Sequence, residues 1–377
     1  MPRTIDDLDV AGERVLVRVD FNVPLEGGKI ADDTRIAAAL PTLRALLERG
    51  ATLVLTSHLG RPKGGPDEKQ RLRPVAERLS ELLGRPVRYE PTPGPASQEQ
   101  QAFVAAAPSG SVTLLENSRF DPREEANDLG LARVLAGYAD AYVNDAFGAA
   151  HRAHATTEAV AHLLPSAAGY LMAAELRALS RLVQEPERPF AVVLGGAKVS
   201  DKLGVIEHLL GLADLVLVGG AMAYTFIAAQ GGKVGRSLVE SDLYDVAREI
   251  MERGEERGVQ LLPRSDSVCA SAITAGASAS VHPSGAIPDG LMGLDIGPAA
   301  IKEFSSALST AKTVFWNGPL GVFETPPFGA GTRAVALAVA GLSAYTVVGG
   351  GDSIAALNAA GVLDRIDHVS TGGGASL

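Results

Sequence analysis

The sequence predicts an α/β protein with parallel sheets, organised as two domains. Nine short runs rich in Val, Leu and Ile recur at intervals that leave room for a helix between neighbours. Most of these runs are continuously apolar, which is typical of strands buried on both faces of a parallel sheet. The length of 377 residues exceeds what one ordinary hydrophobic core organises, so two domains are expected.

The predicted strands are, in chain order, residues 15–19, 52–55, 112–115, 141–143, 190–194, 215–218, 259–262, 313–316 and 346–348. Helical patterns lie between them, and the clearest are Thr34–Glu48 and Arg73–Leu83. The longest uncharged apolar stretch, residues 334–348, is predicted to be a helix followed by a strand. It is too short and too interrupted by polar residues to cross a membrane.

A domain boundary is expected near Pro165. Residues 167–183 have apolar side chains at roughly helical spacing and precede a proline-flanked charged stretch. We therefore predict a first domain of residues 1–166, a connecting helix and hinge of residues 167–184, and a second domain of residues 185–377. The alternative is a helix inside one domain. Residues 267–288 carry no charged side chain and are predicted to form a peripheral hairpin or loop.

Composition excludes several classes of function. The formal net charge of −10 argues against nonspecific binding to nucleic acid or to an anionic membrane, since both need a basic face. A single cysteine, Cys269, cannot form an intramolecular disulfide, which fits a reducing compartment. The first residues are acidic and lack an apolar signal core, so we expect a cytoplasmic protein. His151 and His154 have metal-like spacing, but no cysteine or third histidine lies nearby, so no zinc site is expected.

Polar residues follow the first predicted strands, and open parallel sheets bind ligands at this edge. Asp20 and Asn22 come directly after the first strand and are candidates to bind a substrate hydroxyl; a turn before Pro24 is the alternative. Cationic side chains in similar places predict a site for an anionic substrate, because guanidinium forks suit carboxylate and phosphate oxygens. These residues are Arg35, His58, Arg61, Arg119 and Arg152. Any one arginine alone is better explained as a surface residue, but their repetition at strand ends favours a binding site.

A second cluster follows the strand at 190–194. If a helix starts there, Lys198 and Lys202 lie one turn apart on one face and can clasp a polyphosphate. Lysine is scarce, with eight lysines against 26 arginines, so a close pair requires an explanation. The alternative is a solvated helix start. The segment is not a Walker A loop, which needs a different glycine spacing.

Glycine turns in the C-terminal half also indicate phosphate binding. Gly349, Gly350 and Gly351 link the strand at 346–348 to a predicted helix, where glycines allow a phosphate to approach free backbone N–H groups. Asp352 is a candidate to cap that helix or to bind Mg²⁺. A tight connection without a ligand is the alternative, and residues 371–374 form a second such turn. Glu324 is a candidate for a ribose hydroxyl, and Gly293 a candidate to lie flat against a base.

Together these motifs closely resemble the phosphoglycerate kinase family. The matching segments occur in the family's order at residues 18–24, 33–36, 57–62, 144–154, 195–202, 294–298, 316–324, 349–353 and 370–377. The resemblance implies two doubly wound parallel-sheet (Rossmann-like) α/β domains joined by a helix, with the last residues returning toward the N-terminal domain. The family usually continues beyond the position of Leu377, so we expect effects on closure and stability without loss of a motif residue. Leu291 stands where an aromatic residue is common, which implies slightly different base stacking.

The resemblance also implies the site residues. Phosphoglycerate would be bound by Asp20, Phe21, Asn22, Arg35, His58, Leu59, Gly60, Arg61, Arg119 and Arg152. Nucleotide would be bound by Gly196, Lys198, Lys202, Gly293, Asn317, Pro319, Glu324, Gly350, Gly351, Asp352 and Ser353. The catalytic set would be Arg35, Lys198, Lys202, Gly350 and Gly351, with Asp352 as the Mg²⁺ ligand and ATP or ADP as co-substrate.

The implied reaction is reversible phosphoryl transfer from 1,3-bisphosphoglycerate to ADP, giving 3-phosphoglycerate and ATP in glycolysis and gluconeogenesis. In reverse, the nucleophile is a carboxylate that is already ionised, so positioning and charge stabilisation suffice without a general base or covalent intermediate. We expect in-line transfer after hinge closure in a monomer that binds only small molecules. Two alternatives are a kinase for another small carboxylate and a catalytically silent binding protein. A Rossmann dehydrogenase is disfavoured because no Gly-x-Gly-x-x-Gly follows the first strand.

Overall fold

The structure, a computed structural model, describes residues 3–376. The chain divides into two compact units, Met1–Arg177 and Ala178–Leu377. The division falls inside the helix Tyr170–Gln184, within the segment predicted to connect two domains. The predicted helix start at residue 167 is wrong, because Ser166–Ala168 forms a strand that pairs with Ala141–Asn144.

Unit 1 is a six-stranded sheet with helices on both faces. Its strands are β1 Arg14–Arg18, β2 Leu25–Glu26, β3 Lys29–Ile30, β4 Thr52–Thr56, β5 Val87–Arg88, β6 Val112–Leu114, β7 Ala141–Asn144 and β8 Ser166–Ala168. Its helices are α1 Thr34–Glu48, α2 Arg73–Leu83, α3 Gln98–Ala105 and α4 Leu129–Ala136, followed by α5 Tyr170–Gln184 at the boundary. The sheet order is β5-β6-β4-β1-β7-β8 with every pairing parallel, and β2 and β3 form a small antiparallel hairpin.

The alternation of side chains along β1 explains why this strand is apolar throughout. Val15 and Val17 face one core with residues of α1 and α2, whereas Leu16 faces the other core with residues of α3 and α4. All three side chains are fully buried. A strand covered by helices on both faces therefore needs a continuous apolar run, as the sequence predicted.

Unit 2 repeats this architecture. Its strands are β9 Phe190–Leu194, β10 Leu215–Val218, β11 Lys233–Val234, β12 Gln260–Pro263, β13 Asp266–Ala270, β14 Ser280–Pro283, β15 Ala286–Ile287, β16 Met292–Ile296, β17 Thr313–Asn317, β18 Tyr345–Gly349 and β19 His368–Ser370. Its helices are α6 Leu203–Leu209, α7 Met222–Ala229, α8 Tyr244–Glu256, α9 Pro298–Leu308, α10 Ala330–Ala340 and α11 Gly351–Ala360. The main sheet is parallel, in the order β12-β10-β9-β17-β18-β19.

Two cores enclose the main sheet of unit 2. Val192 and Leu194 pack with residues of α6, α7 and α8, and Ala191 and Val193 pack with residues of α9, α10 and α11. Strands β13, β14 and β16 form a separate antiparallel sheet. The uncharged segment 267–288 thus contains a hairpin, as predicted.

All nine predicted strands are present, and no end is shifted by more than one residue, so the α/β prediction with parallel sheets is confirmed. The edge strands β5, β8 and β19 were not predicted, because each has two or three residues and none contains a run of Val, Leu or Ile. Within residues 3–376 no helix combines the length and apolar character needed to cross a membrane.

Candidate functional site

The carboxyl ends of β1 and β4 carry the first polar cluster of unit 1. The two strands are parallel neighbours, so the loops that follow them lie at the same edge of the sheet. The backbone N–H of Phe21, itself fully buried, donates to Oγ of Ser57 at 2.9 Å and joins the two loops. Phe21 therefore anchors the loop through its side chain and backbone, while its neighbours Asp20 and Asn22 supply polar groups.

Asp20, Asn22 and Arg35 form one hydrogen-bonded group. Nη1 of Arg35 lies 3.1 Å from Oδ2 of Asp20 and 3.2 Å from the carbonyl oxygen of Asn22. The side chain of Asn22 in turn accepts the Gly60 N–H at 2.8 Å. Arg35 keeps 36% of its side chain exposed, and no hydrogen bond from its Nε or Nη2 occurs within residues 3–376. The guanidinium is thus held at one nitrogen and retains donors for a ligand.

Arg18, which sequence reasoning did not assign to the site, lies buried beneath this cluster with 1% exposure. Its Nε donates to Oγ1 of Thr156 at 2.9 Å, and its Nη2 lies 2.9 Å from Nδ1 of His58. Thr156 donates onward to the buried Glu124 at 2.5 Å. Arginine inside a run that is otherwise apolar was the signal available in the sequence, because a buried charge requires partners.

His58 is neutral, which corrects its assignment to the cationic group. Burial lowers the pKa of its ring far below the ordinary value, and the charges of Arg18, Arg119, Arg152 and Arg35 lower it further. Since Arg18 has only donors, Nδ1 of His58 must accept, and the ring proton belongs on Nε2. His58 therefore offers a ligand a neutral N–H donor. The influence of four guanidinium groups on one ring also indicates that these arginines gather around it.

The remaining arginines of unit 1 differ in how firmly they are held. Arg119 is 7% exposed; its Nη1 donates to the carbonyl oxygen of Gly60 at 2.8 Å, and its Nε lies 3.1 Å from Glu125 without hydrogen-bond alignment. Arg152 is exposed, and its Nε donates to His151 at 3.1 Å. Arg61 is exposed and has no hydrogen bond or ion pair within residues 3–376. Arg35, Arg119 and Arg152 thus lie close enough to His58 to act on it electrostatically, whereas Arg61 is not among the groups that do so.

Buried Asn117 is a second residue that sequence reasoning missed. Its Oδ1 accepts the N–H groups of Leu59 at 3.2 Å and Arg119 at 3.1 Å, and its Nδ2 donates to the carbonyl oxygen of Leu59 at 2.8 Å. One side-chain amide therefore orders the His58–Arg61 loop and the Arg119 turn together. Unit 1 presents several cations and one neutral donor with few countercharges, which suits an anion.

The second cluster lies at the carboxyl ends of β9, β17 and β18 in unit 2. The prediction that Lys198 and Lys202 share a helical face is wrong, because α6 begins only at Leu203 and Lys202 caps it. The N–H of Lys202 closes a turn with the carbonyl oxygen of Val199 at 2.9 Å. Lys198 is exposed and Lys202 is 8% exposed, so the two ammonium groups have different surroundings.

Lys202 is held by Asn317 at the end of β17. Its Nζ donates to Oδ1 of Asn317 at 2.5 Å and to the carbonyl oxygen at 2.9 Å. Burial lowers the pKa of Lys202 to about 8, although Asp201 and Asp352 raise it in part. The ammonium group is therefore incompletely balanced, and an incoming anion would favour its charged form.

Close packing near Lys202 leaves no room for a side chain at Gly195 or Gly318. A Cβ on Gly195 would lie 2.0 Å from the carbonyl oxygen of Pro319, and that oxygen accepts the Gly196 N–H at 3.0 Å. Gly318 has a φ of +95°, and a Cβ there would lie 2.8 Å from Nζ of Lys202. Gly196 and Pro319 thus belong to the wall that shapes the lysine environment.

The glycine turn after β18 leads into α11 as predicted. Gly350 has a φ of +95°, and Gly351 begins the helix with open space around its Cα. Oγ of Ser353 accepts the Gly318 N–H at 2.7 Å, and Nδ2 of Asn317 donates to the carbonyl oxygen of Gly349 at 2.9 Å. The first N–H groups of α11 are free of helical partners, and N–H groups in this position favour an anion.

Asp352 does not cap α11, because the helix has no side-chain capping hydrogen bond. Its exposed carboxylate lies in the first turn and acts electrostatically on Lys202. One exposed carboxylate is enough to contact a Mg²⁺ ion that keeps several waters. Within residues 3–376 no group of three or more His, Cys, Asp or Glu side chains is arranged to hold a metal ion.

Two predicted nucleotide residues lie apart from this turn. Gly293 is buried in β16, where its N–H donates to Oγ of Ser237 at 2.9 Å. A Cβ there would lie 1.5 Å from Oη of Tyr224, so internal packing alone accounts for the glycine. Glu324 is exposed in the segment between β17 and α10. The structure joins neither residue to Lys202 by a hydrogen bond or ion pair.

Comparison with known proteins gives one consistent family. The family model described as phosphoglycerate kinase matches residues 5–377. A phosphoglycerate kinase of Thermus thermophilus is 57% identical over 376 residues, covering 100% of this chain and 96% of that protein. One from Roseiflexus castenholzii is 54% identical over 378 residues, covering 100% of this chain and 95% of that protein.

Solved structures agree with the sequence relatives. Phosphoglycerate kinase from Coxiella burnetii has a TM-score of 0.90 at 38% identity and covers 100% of this chain and 95% of that chain. The enzyme from Pyrococcus horikoshii has a TM-score of 0.85 at 32% identity, covering 99% and 94% respectively. With this similarity along the full sequence and in the fold, the chain belongs to the phosphoglycerate kinase family and is an enzyme.

Proposed function

We propose that the enzyme transfers a phosphoryl group reversibly from 1,3-bisphosphoglycerate to ADP, giving 3-phosphoglycerate and ATP. Glycolytic phosphoryl transfer is the reaction for which the family is named. The observation that supports the detailed proposal is that each unit has its own cluster of groups suited to an anion, and the two clusters differ in chemistry. Unit 1 surrounds neutral His58 with arginines, whereas unit 2 combines Lys202 with a glycine turn at a helix N-terminus.

In unit 1, the phosphoglycerate is the ligand whose charges the arginines match. Bidentate guanidinium groups bind phosphate and carboxylate oxygens with defined geometry, and His58 adds one neutral donor. We assign the distant phosphate and its neighbouring groups to His58, Arg61, Arg119 and Arg152, and the reacting end to Arg35. The further binding residues are Asp20, Phe21, Asn22, Leu59 and Gly60.

In unit 2, the nucleotide phosphates are the ligand that free backbone N–H groups and an ammonium group favour. We assign them to Lys198, Lys202 and the Gly350–Ser353 turn, with Gly196, Asn317 and Pro319 shaping the pocket. Glu324 and Gly293 are assigned to ribose and base. Asp352 would hold Mg²⁺, which neutralises phosphate charge when it is bound with the nucleotide.

The transfer requires no general base. In the direction of ATP consumption the attacking group is the carboxylate of 3-phosphoglycerate, which is ionised at neutral pH. The residues then have to align donor and acceptor and to stabilise negative charge spread over the transferring group. We assign this stabilisation to Arg35, Lys198, Lys202 and the N–H groups near Gly350 and Gly351. An in-line transfer without a covalent intermediate follows.

Because the two anion sites belong to different units, we also propose that the units close about the α5 segment when both substrates bind. Small-angle X-ray scattering with 3-phosphoglycerate, MgATP and both together tests this step. A smaller radius of gyration only with both ligands is expected. An unchanged radius would contradict closure without contradicting the reaction.

A coupled assay of ATP formation from ADP and 1,3-bisphosphoglycerate tests the proposed reaction. We expect turnover that depends on Mg²⁺ and disappears when the acceptor nucleotide is omitted. A panel of other acyl phosphates distinguishes a kinase for a different carboxylate, because the arginine site favours a ligand that carries both phosphate and carboxylate. Absence of ATP with every acyl phosphate would leave a binding role. We further propose a cytoplasmic monomer, which gel filtration with light scattering tests.

A further inference from the structure

A glutamate outside the predicted site holds the loop that carries both lysines. This lysine loop, residues 195–202, connects β9 to α6. The carboxylate of Glu240 accepts three hydrogen bonds from it: from the N–H of Val199 at 2.6 Å, from the N–H of Ser200 at 3.1 Å and from Oγ of Ser200 at 2.5 Å. Hydrogen bonds to a charged acceptor are among the stronger ones in proteins, so this is a firm attachment.

The backbone of Glu240 is itself hydrogen-bonded to helix α7. Its backbone N–H donates to Oγ1 of Thr225 at 3.1 Å, and Thr225 is buried in α7. Helix α7 packs in the core that also contains Val192 and Leu194 of β9. The carboxylate therefore connects the lysine loop to the rigid part of unit 2.

The attachment falls between the two lysines. Val199 follows Lys198 directly, and its buried side chain and its carbonyl bond to the Lys202 N–H form the turn that starts α6. Without Glu240, the N–H groups of Val199 and Ser200 would lose their acceptor, and the turn would be held at fewer points. Both ammonium groups would then sample a wider range of positions.

We propose that Glu240 is a positioning residue that holds the lysine loop in the shape required for binding nucleotide phosphates. This inference rests on the proposed nucleotide role of Lys198 and Lys202. Glu240 carries a negative charge and already accepts three hydrogen bonds from the loop, so direct contact with a phosphate is unfavourable. Glu240 therefore affects nucleotide binding through the positions of Lys198 and Lys202.

Glu240→Gln is the decisive variant, because glutamine keeps the size and removes the charge. Its amide oxygen can accept from the N–H groups of Val199 and Ser200 only as a weaker, neutral acceptor, and its NH₂ group then faces Oγ of Ser200. We expect a rise of roughly tenfold in the KM and Kd for MgADP. The kcat at saturating nucleotide should stay within about threefold, since bound phosphates restore the loop. Affinity for 3-phosphoglycerate, measured by calorimetry, should not change. A substitution that only destabilised the fold would not weaken the binding of MgADP while leaving the affinity for 3-phosphoglycerate unchanged.

Glu303→Gln is the matched control. Glu303 is exposed in α9 and has no hydrogen bond or ion pair within residues 3–376, so the same change of charge should leave both affinities unchanged. Ser200→Ala removes one of the three hydrogen bonds and leaves the two from backbone N–H groups. It should raise the KM for MgADP by about twofold. Glu240→Asp should fall between Ser200→Ala and Glu240→Gln.

Three results would overturn the inference: an unchanged KM for MgADP in folded Glu240→Gln, equal weakening of both substrates, or tighter nucleotide binding. If Glu240→Gln does not fold, Ser200→Ala and Glu240→Asp decide, and unchanged nucleotide affinity in both contradicts the inference. The wild-type protein separates this failure from that of the proposed function. Wild type that neither binds MgADP nor forms ATP refutes the function, whereas active wild type with an unaffected variant refutes only the role of Glu240.

Discussion

The two units differ in the groups that they present to the anion proposed for each of them. Unit 1 concentrates side-chain charge around the His58 ring, whose pKa is lowered by burial and then further by four guanidinium groups. Unit 2 relies on backbone N–H groups at the start of α11 and on one buried ammonium group whose pKa burial lowers to about 8. The comparison teaches that arginine keeps its positive charge at every accessible pH, whereas the charge of a buried lysine depends on pH near its lowered pKa and is favoured by an anionic ligand.

Substitution of Arg35 should have the largest effect. Arg35→Ala removes a half-exposed guanidinium assigned to the reacting end, and loss of one preorganised charge contact lowers kcat by on the order of 10²–10³-fold. The free energy of unfolding should change little. Steady-state kinetics and thermal denaturation check both statements. Arg44→Ala, at an exposed position of the same helix, is the control. Near-normal turnover would remove Arg35 from the catalytic set.

Removal of the Lys202 side chain should lower the affinity for one substrate and not for the other. Lys202→Ala eliminates a charged donor next to Asn317, and we expect affinity for MgADP to fall by roughly 10–100-fold. Affinity for 3-phosphoglycerate should stay within twofold, because its site is built from other residues. Titration calorimetry measures both. Lys302→Ala, in exposed surroundings on α9, supplies the control. Equal losses for the two ligands would indicate misfolding.

The pH dependence sharpens the comparison. With a Lys202 pKa of about 8, affinity for MgADP should fall roughly tenfold between pH 7.5 and 9, since phosphate favours the charged amine. Affinity for 3-phosphoglycerate should remain constant over this range, because arginine stays protonated. Calorimetry across the range tests both, and the Lys202→Ala variant should lose the dependence. A parallel decline for the two ligands would contradict the assignment.

The smallest effect concerns stability and His58. Its pKa in the folded protein lies far below the ordinary value of 6.5. Below pH 6.5 the unfolded chain therefore binds a proton that the folded protein does not, and stability falls as pH decreases. This group contributes about 1.4 kcal/mol per pH unit. Denaturant unfolding at pH 6.0 and 5.0 should show a shallower dependence for His58→Gln. An identical dependence would mean that His58 is already protonated when folded.

Much of the fold was predictable because buried parallel strands must be apolar along their whole length. For that reason the apolar runs at 15–19 and 190–194 could be identified as strands from the sequence. The short edge strands β5 and β8 could not be predicted, since neither Val87–Arg88 nor Ser166–Ala168 contains a run of Val, Leu or Ile. Strand ends also marked the Asp20–Asn22 loop and the Gly349–Gly351 turn. The roles of Arg18 and Glu240 could not be predicted, because their hydrogen-bond partners are distant in the chain. Arg18 bonds to Thr156, 138 positions away, and Glu240 bonds to Val199 and Ser200, 41 and 40 positions away.

By itself, the sequence determined the α/β class, the order of strands along the chain and the residue types available for binding anions, because apolar periodicity and glycine placement are local properties. Only the tertiary structure decided the charge state of His58 and the partial burial of Lys202. It also decided that Lys198 and Lys202 lie on a loop hydrogen-bonded to Glu240 and do not share a helical face. A pKa or a loop conformation depends on every group packed around it, and those neighbours come from distant positions in the chain.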